Sequence, residues 1–101
     1  MKKAKVITMC GSYKFMNEII FHTERLELEG NCVLSPISLT KNKSAYKQED
    51  FVLLGLLHKQ KIDLSDAIFV VNVNHYIGES TKSEIKYAKQ KGKEIIYLEV
   101  E

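Results

Sequence analysis

Short apolar runs alternate along the chain with longer segments in which apolar residues recur every three or four positions. The runs predict β-strands, and the longer segments predict α-helices. In chain order, the predicted strands and helices cover residues 5–10, 14–29, 32–35, about 45–62, 67–73, 80–91 and 94–100. The order βαβαβαβ, with strands that are apolar throughout, predicts a parallel sheet covered by helices on both faces.

This order defines the expected fold class. We predict an α/β fold: a three-layer, doubly wound parallel sheet of about four to five strands, flavodoxin- or Rossmann-like, in a single small domain over residues 1–101. The most apolar strand, 67–73, is expected at the centre of the sheet. Gly30 and Gly92 are expected to end helices, and Ser44 is expected to cap the start of the middle helix.

The middle helix contains the run FVLLGLL (51–57), which is apolar on nearly all sides. A helix on the surface of a domain needs only one apolar stripe. We therefore predict a homo-oligomer, a dimer or higher, in which the helix over 46–62 packs against a second subunit as well as its own sheet. Gly55 within this run indicates either a close helix approach or a tolerated cost of about 1 kcal/mol.

Composition and charge narrow the range of partners. The net charge of +2 is too small to indicate nucleic-acid binding, and no aromatic residues interleave with the lysines of the last helix. The sequence has no apolar run of about 18 residues, so no membrane span is expected. The apolar part of the basic start, MKKAKVITMCGS, is too short for a signal peptide. Cys10 and Cys32 lack metal-ligand spacing and are interpreted as reduced core thiols of a cytoplasmic protein.

Chemistry is expected at the carboxyl ends of the strands, where parallel α/β sheets bind ligands. Three turns occupy this edge, at 10–14, 35–39 and 72–81. The first contains Gly11 and Ser12; glycine allows close backbone approach, and the N–H groups of a helix start attract an anion. The pattern G-x-G-x-x-G and the P-loop are absent from the sequence, which argues against a dinucleotide enzyme or an ATPase.

The third turn ends in GEST (78–81) and leads into the last helix. Two helix starts with hydroxyl groups at one sheet edge would suit a phosphate or a carboxylate. The alternative is structural, because Thr81 and Glu84 match the capping box T-x-x-E, in which both side chains satisfy backbone N–H groups. On the turn alone, capping is the favoured interpretation.

Helical spacing places Glu84 at the border of a buried stripe. Thr81, Ile85, Ala88 and Gly92 form that stripe, and Glu84 is three residues from Thr81 and four from Ala88. Its side chain is therefore expected to lean over the sheet edge, whereas Glu79 in the turn is expected in solvent. The helix dipole favours an ionised Glu84 by about 0.3–1 kcal/mol, which suits a nucleophile or an electrostatic stabiliser better than a proton donor.

Two further polar positions have two interpretations each, and a third has one. His58, near the end of the middle helix, either interacts with the helix dipole or belongs to a site. Asn72, where the central strand ends, is either a site residue or a turn former. Asp66, directly before that strand, is interpreted as a side-chain-to-backbone partner at the opposite end of the sheet.

Three segments of the chain resemble the nucleoside 2-deoxyribosyltransferase superfamily, which includes the 2-deoxynucleoside 5-phosphate N-hydrolases. They are VITMCGS (6–12), HKQKIDLSDAIFVVNV (58–73) and GESTKSEIKYAKQKGKEIIYL (78–98), and the similarity spans most of the chain except 36–50. In this family, the glutamate that matches Glu84 attacks the anomeric carbon of a deoxyribose and displaces the base. Water or a second base then resolves the covalent intermediate.

The resemblance implies a set of site residues. Glu84 would be the nucleophile and His58 the candidate acid, with no metal or cofactor needed. The residues expected to bind the sugar or its 5-phosphate are Thr8, Gly11, Ser12, Asn72, Gly78, Ser80 and Thr81. Two positions depart from the family pattern: Thr8 stands where a tyrosine commonly orients the glutamate, and His58 stands where an aspartate assists proton transfer to the base.

Three functions are compatible with these residues. The favoured one is an enzyme, an N-glycosidase or deoxyribosyltransferase that acts on a nucleoside or nucleoside 5-monophosphate. The second is a module on the same fold that binds a nucleotide-like ligand for sensing, and the two departures motivate it. The third, based only on the apolar middle helix, is a subunit whose role is assembly. The expected partner is a small molecule; nucleic acid and membranes are not expected partners.

Overall fold

The computed structural model describes residues 3–100, which form four parallel strands and three α-helices. In chain order these are β1 (Val6–Cys10), α1 (Met16–Leu28), β2 (Cys32–Leu34), α2 (Gln48–Asp63), β3 (Ala67–Val70), α3 (Glu79–Gln90) and β4 (Glu94–Tyr97). The strand order is β2-β1-β3-β4, as in flavodoxin-like sheets. The predicted α/β fold is confirmed; residues 1, 2 and 101 of the predicted domain lie outside the described residues.

Two apolar clusters hold the helices on opposite faces of the sheet. On the α1 face, the buried residues are Ile7, Met9, Ile19, Leu26, Ala67, Phe69 and Val71. On the face covered by α2 and α3, they are Cys10, Ile62, Ile68, Val70, Ile85 and Ala88. Consecutive residues of a strand point to opposite faces, so β1 directs Met9 towards α1 and Cys10 towards the other two helices.

Of the three residues predicted to start or end a helix, two are confirmed. Gly30 and Gly92 have φ values of 100° and 71°, a conformation that favours glycine and ends a helix. The predicted cap at Ser44 is wrong, because Ser44 lies in a short 3₁₀ turn. The second helix starts after Lys47, whose N–H donates to the Asp50 carboxylate over 2.8 Å.

The two ends of the sheet are built differently. At the amino end, the Asp66 carboxylate accepts a hydrogen bond from the Val6 N–H at 2.9 Å, which confirms its structural interpretation. At the carboxyl end, β3 stops at Val70, three residues earlier than predicted. A 3₁₀ turn follows, in which Asn74 and His75 adopt positive φ. The carboxyl end is therefore made of turns, which can approach a ligand.

Only two residues of α2, His58 and Ile62, are buried. Its first half stands beside a cavity and leaves Val52, Leu53 and Leu56 more than half exposed. The predicted homo-oligomer through residues 46–62 stays a prediction. Gly55 does not mark a close helix approach, because no atom lies within 4 Å of the position its Cβ would take. Within residues 3–100, no helix combines the length and the apolar character needed to cross a membrane.

Candidate active site

A cavity of about 700 Å³ lies at the carboxyl ends of β1 and β3, beside α2 and the first turn of α3. These two strands form the switch point of the sheet, since the chain leaves β1 towards one face and β3 towards the other. Seven of the nine predicted site residues line the cavity: Gly11, Ser12, His58, Gly78, Ser80, Thr81 and Glu84. The fold thus brings together two turns and two helices from distant parts of the sequence.

The first turn reaches the cavity because a glycine allows close packing. A Cβ on Gly11 would lie 3.2 Å from the carbonyl oxygen of Val71 and 3.4 Å from Cδ1 of Ile19, distances that force a neighbour to move. Ser12 follows as the cap of a short 3₁₀ helix, and its hydroxyl accepts a hydrogen bond from the Lys14 N–H at 3.3 Å. The turn is therefore held against β3 while its serine faces the cavity.

The third helix starts earlier than a capping box would require. Gly78 is the N-cap residue and Glu79 is the first helical residue, so Thr81 and Glu84 both lie inside the helix. Thr81 is 3% exposed, and no side chain caps the helix start. The predicted T-x-x-E capping box is therefore wrong. Glu79 is solvent-exposed as predicted, and the Glu84 carboxylate faces the cavity instead of its own backbone.

Three functional side chains meet at the base of the cavity. Glu84 Oε1 lies 3.7 Å from His58 Nε2, and Cys10 Sγ lies 3.5 Å from the same nitrogen. The side chains of His58 and Glu84 are only 8% and 16% exposed, and Cys10 is fully buried. His58 therefore lines the cavity and faces Glu84, while its role in a site stays a prediction.

Burial controls the protonation of Glu84. Desolvation raises its pKa from 4.5 to about 7, and the Cys10 thiol and the Lys59 ammonium group offset this only in part. Desolvation therefore outweighs the predicted effect of the helix dipole, which favours the ionised carboxylate by only about 1 kcal/mol or less. Tyr13 also lines the cavity, and its pKa is raised by burial and by the charge of Glu84.

Burial has the opposite effect on His58, because its charged form is the protonated one. Desolvation lowers its pKa from 6.5 to about 4, and the charge of Lys61 adds to the shift. The Met9 backbone raises the pKa and so offsets part of the shift. Within residues 3–100, Nδ1 of His58 has no hydrogen-bond partner. In the free site, His58 is therefore neutral at pH 7. Together, the two groups hold one proton between about pH 4 and about pH 7.

The structure does not bring Thr8 and Asn72 to the cavity. Thr8 is fully buried beneath α2, where its hydroxyl lies 3.0 Å from the Lys61 carbonyl oxygen and contacts the Ser65 hydroxyl. The Asn72 side chain pairs with the backbone of Glu99: Nδ2 donates to the carbonyl oxygen and Oδ1 accepts from the N–H, both over 2.9 Å. Both side chains are used for packing and backbone pairing, so neither is available to a ligand.

The sequence interpretation of the two cysteines needs correction. Cys10 is buried as predicted, but its sulfur contacts site residues. Cys32 is exposed on the edge strand β2 and is not a core residue. The sequence feature that could have identified Cys10 as a site residue is its position, directly before the glycine turn and on the same strand face as Thr8.

The apolar wall of the cavity also escaped the sequence analysis. Phe51, Leu54 and Gly55 line the cavity from the same helix as His58. They lie seven, four and three positions before His58, which places all four residues on one helix face and could have indicated a shared wall.

No protein-family model matches the sequence, and no curated protein matches it.

Replacing Asn72 by alanine is expected to lower the free energy of unfolding by about 1–3 kcal/mol, because two hydrogen bonds to the Glu99 backbone are lost. Urea denaturation followed by circular dichroism measures this change. Asn17→Ala on the exposed side of α1 is the matched control and should change stability by less than about 0.5 kcal/mol. An Asn72→Ala protein with unchanged stability would contradict the structural role of this side chain.

Proposed function

We propose that the protein cleaves the N-glycosidic bond of a nucleoside or nucleoside 5-monophosphate, or transfers its sugar to a second base, with Glu84 as nucleophile. The observation that carries the proposal is the contact of Glu84 and His58, 3.7 Å apart, inside a cavity that the Gly11-Ser12 turn and the start of α3 also line. A carboxylate next to a proton carrier is the minimum that a retaining glycosyl transfer requires.

The cavity has the size and the divided lining that a nucleotide needs. Its volume of about 700 Å³ falls in the range of about 300–1,000 Å³ that is typical of small-molecule sites. Phe51 and Leu54 provide an apolar wall that suits a planar base. Ser80 and the N–H groups at the start of α3 suit a sugar hydroxyl or a phosphate, since a helix start favours negative charge.

The first step would form one bond and break one bond. An ionised oxygen of Glu84 attacks the anomeric carbon, while the bond from that carbon to the base nitrogen breaks. The leaving nitrogen takes a proton from His58, so that the base departs neutral. In the second step, water or the nitrogen of another base attacks the same carbon, releases Glu84, and returns a proton to His58.

The shared proton of the Glu84–His58 pair supports this assignment. With one proton on the pair, its transfer from Glu84 to His58 creates a carboxylate nucleophile and an imidazolium acid at the same time. The low solvent exposure of both side chains strengthens the attraction between the carboxylate and the positive charge that develops on the sugar. The pair is therefore neutral overall at rest and separates charge when a substrate is present.

Base release by Glu84→Gln and Glu79→Gln proteins tests the proposal. Deoxynucleoside 5-monophosphates and the corresponding nucleosides are incubated with each protein, and free base is measured by liquid chromatography. We expect Glu84→Gln to lower the rate by at least about a thousandfold, because glutamine cannot act as the nucleophile. Glu79, five positions earlier in the same helix and with its side chain in solvent, should tolerate the same change without loss. Full activity of the Glu84→Gln protein would reject the mechanism.

A ligand-binding module without chemistry is the second candidate, and the position of Thr8 favours it. Thr8 stands where the resemblance leads one to expect a tyrosine that orients the glutamate. Its hydroxyl instead bonds to the Lys61 carbonyl oxygen and contacts Ser65 beneath α2, so it is not available to orient Glu84. Calorimetric titration of the same compounds separates the two functions. Binding without base release by the unmodified protein would favour the sensor, and base release would favour the enzyme.

A further inference from the structure

Cys10, His58 and Glu84 present three different metal-ligating atoms to one point. Sγ of Cys10 lies 3.5 Å from Nε2 of His58, and Oε1 of Glu84 lies 3.7 Å from the same nitrogen. All three ligand atoms lie within 4.8 Å of one another. Thiolate, imidazole and carboxylate together are donors that Zn²⁺ accepts in proteins.

Two of the three separations match those around a tetrahedral zinc ion; the third, between sulfur and oxygen, is within 4.8 Å, against about 3.6 Å around zinc. With Zn–S near 2.3 Å, Zn–N near 2.05 Å and Zn–O near 2.1 Å, tetrahedral angles place sulfur about 3.6 Å from nitrogen and nitrogen about 3.4 Å from oxygen. The observed distances of 3.5 Å and 3.7 Å differ from these by about 0.3 Å or less. Binding would draw the three ligand atoms together around the ion.

The surroundings fit three protein ligands and one open position. Cys10 comes from β1, His58 from α2 and Glu84 from α3, so three elements of the core hold the ligands in place. The cavity supplies the fourth side, where water would complete the tetrahedron. Coordination through Nε2 would leave the ring proton of His58 on Nδ1, which has no hydrogen-bond partner within residues 3–100.

We propose that Cys10, His58 and Glu84 form a site for Zn²⁺ or a similar borderline-soft divalent cation. Binding would form bonds from the metal to Sγ, Nε2 and a Glu84 oxygen, and the thiol and carboxyl protons would leave to solvent. Mg²⁺ and Ca²⁺ prefer an all-oxygen ligand set and are excluded by the sulfur and nitrogen. If the proposed function holds, the bound cation occupies the nucleophile and inhibits base release, which chelation restores.

Titration with Co²⁺ tests the site without any substrate. Chelator-treated protein, kept reduced with a phosphine, is titrated with Co²⁺ and followed by absorbance. We expect the visible bands of tetrahedral cobalt together with a near-ultraviolet charge-transfer band from the thiolate, both removed by one equivalent of Zn²⁺. Cys32→Ser is the matched control and should keep all bands, because Cys32 lies on the edge strand.

Two variants locate the site. Cys10→Ser should lose the charge-transfer band, and Glu84→Gln, which keeps both other ligands, should bind Co²⁺ at least about tenfold more weakly. His75→Gln changes an exposed histidine that pairs with Glu99 at 3.7 Å, and it should have no effect. The proposal is overturned if the unmodified protein shows no charge-transfer band at millimolar Co²⁺, or if Cys32→Ser abolishes the band. Cobalt bands without base release would leave the metal site standing and reject the proposed function; base release without the bands would do the reverse.

Discussion

Replacing Glu84 by glutamine is expected to stabilise the metal-free protein at pH 8 by about 2–3 kcal/mol, while it abolishes base release. The pKa of Glu84 is raised by burial from 4.5 to about 7, so the folded protein at pH 8 contains a buried carboxylate that is better solvated in the unfolded chain. A shift of about 2.5 pKa units corresponds to roughly 3 kcal/mol. Glutamine carries no charge and avoids this cost.

The pH dependence of the effect follows from the direction of the shift. A raised pKa in the folded state means that the stability associated with the neutral carboxyl is complete below pH 4.5 and is lost as the pH rises through about 7. The advantage of Glu84→Gln should therefore be small at pH 5 and reach its full size near pH 8. The titratable groups that face Glu84 are Cys10, Tyr13, His58 and Lys59.

Urea denaturation of both proteins from pH 5 to pH 8, with a chelator present, measures the difference in the free energy of unfolding. His58 does not affect the comparison at pH 8, because its lowered pKa weakens the protein only as the pH falls from 6.5 towards 4. Glu79→Gln is the control and should follow the unmodified protein at every pH, since this side chain is 94% exposed. A Glu84→Gln protein that is no more stable than the unmodified one at pH 8 would contradict the destabilisation of the folded protein by a desolvated carboxylate.

Replacing His58 by glutamine is expected to slow base release from ordinary deoxynucleotides by about 10²–10⁴-fold, because the leaving nitrogen loses its proton donor. A deoxynucleotide of 7-methylguanine should be much less affected. Its base is already cationic and leaves without protonation, so the rate should fall less than about tenfold. Glu84→Gln should lose activity with both substrates, because the nucleophile is needed in either case.

Measuring the variants with both substrates distinguishes a loss of proton transfer from a loss of structure. His75→Gln removes a histidine that also faces a carboxylate, that of Glu99, but on the surface and outside the cavity. This control should leave the rates with both substrates unchanged. If His58→Gln slows both substrates equally while circular dichroism shows a folded protein, His58 positions Glu84 and does not act as the acid.

The elements of this protein could be predicted because their signals are local. Apolar runs such as 67–73 and the helical spacing of Thr81, Ile85 and Ala88 depend only on the pattern of neighbouring residues. The stops at Gly30 and Gly92 follow from backbone sterics at single positions. The predictions that failed, such as the cap at Ser44 and the Thr81–Glu84 box, concern helix starts, where several local patterns compete.

The site could be placed but not described from the sequence. The rule that ligands bind at the carboxyl ends of parallel strands pointed to the Gly11 and Gly78 turns, and both line the cavity. The same rule included Asn72, which instead pairs with the Glu99 backbone 27 residues later. Side-chain direction at the end of a strand depends on such distant partners, and no local pattern reports them.

The sequence by itself determined the order of strands and helices, the class of fold and the edge at which the site lies, because each depends on periodicity and chain connectivity. The tertiary structure decided which groups meet and how they are charged. Cys10, His58 and Glu84 are separated by more than twenty residues from one another, yet they lie within 4.8 Å in the fold. Their protonation is governed by desolvation, which depends on the atoms that surround a group and not on its neighbours along the chain.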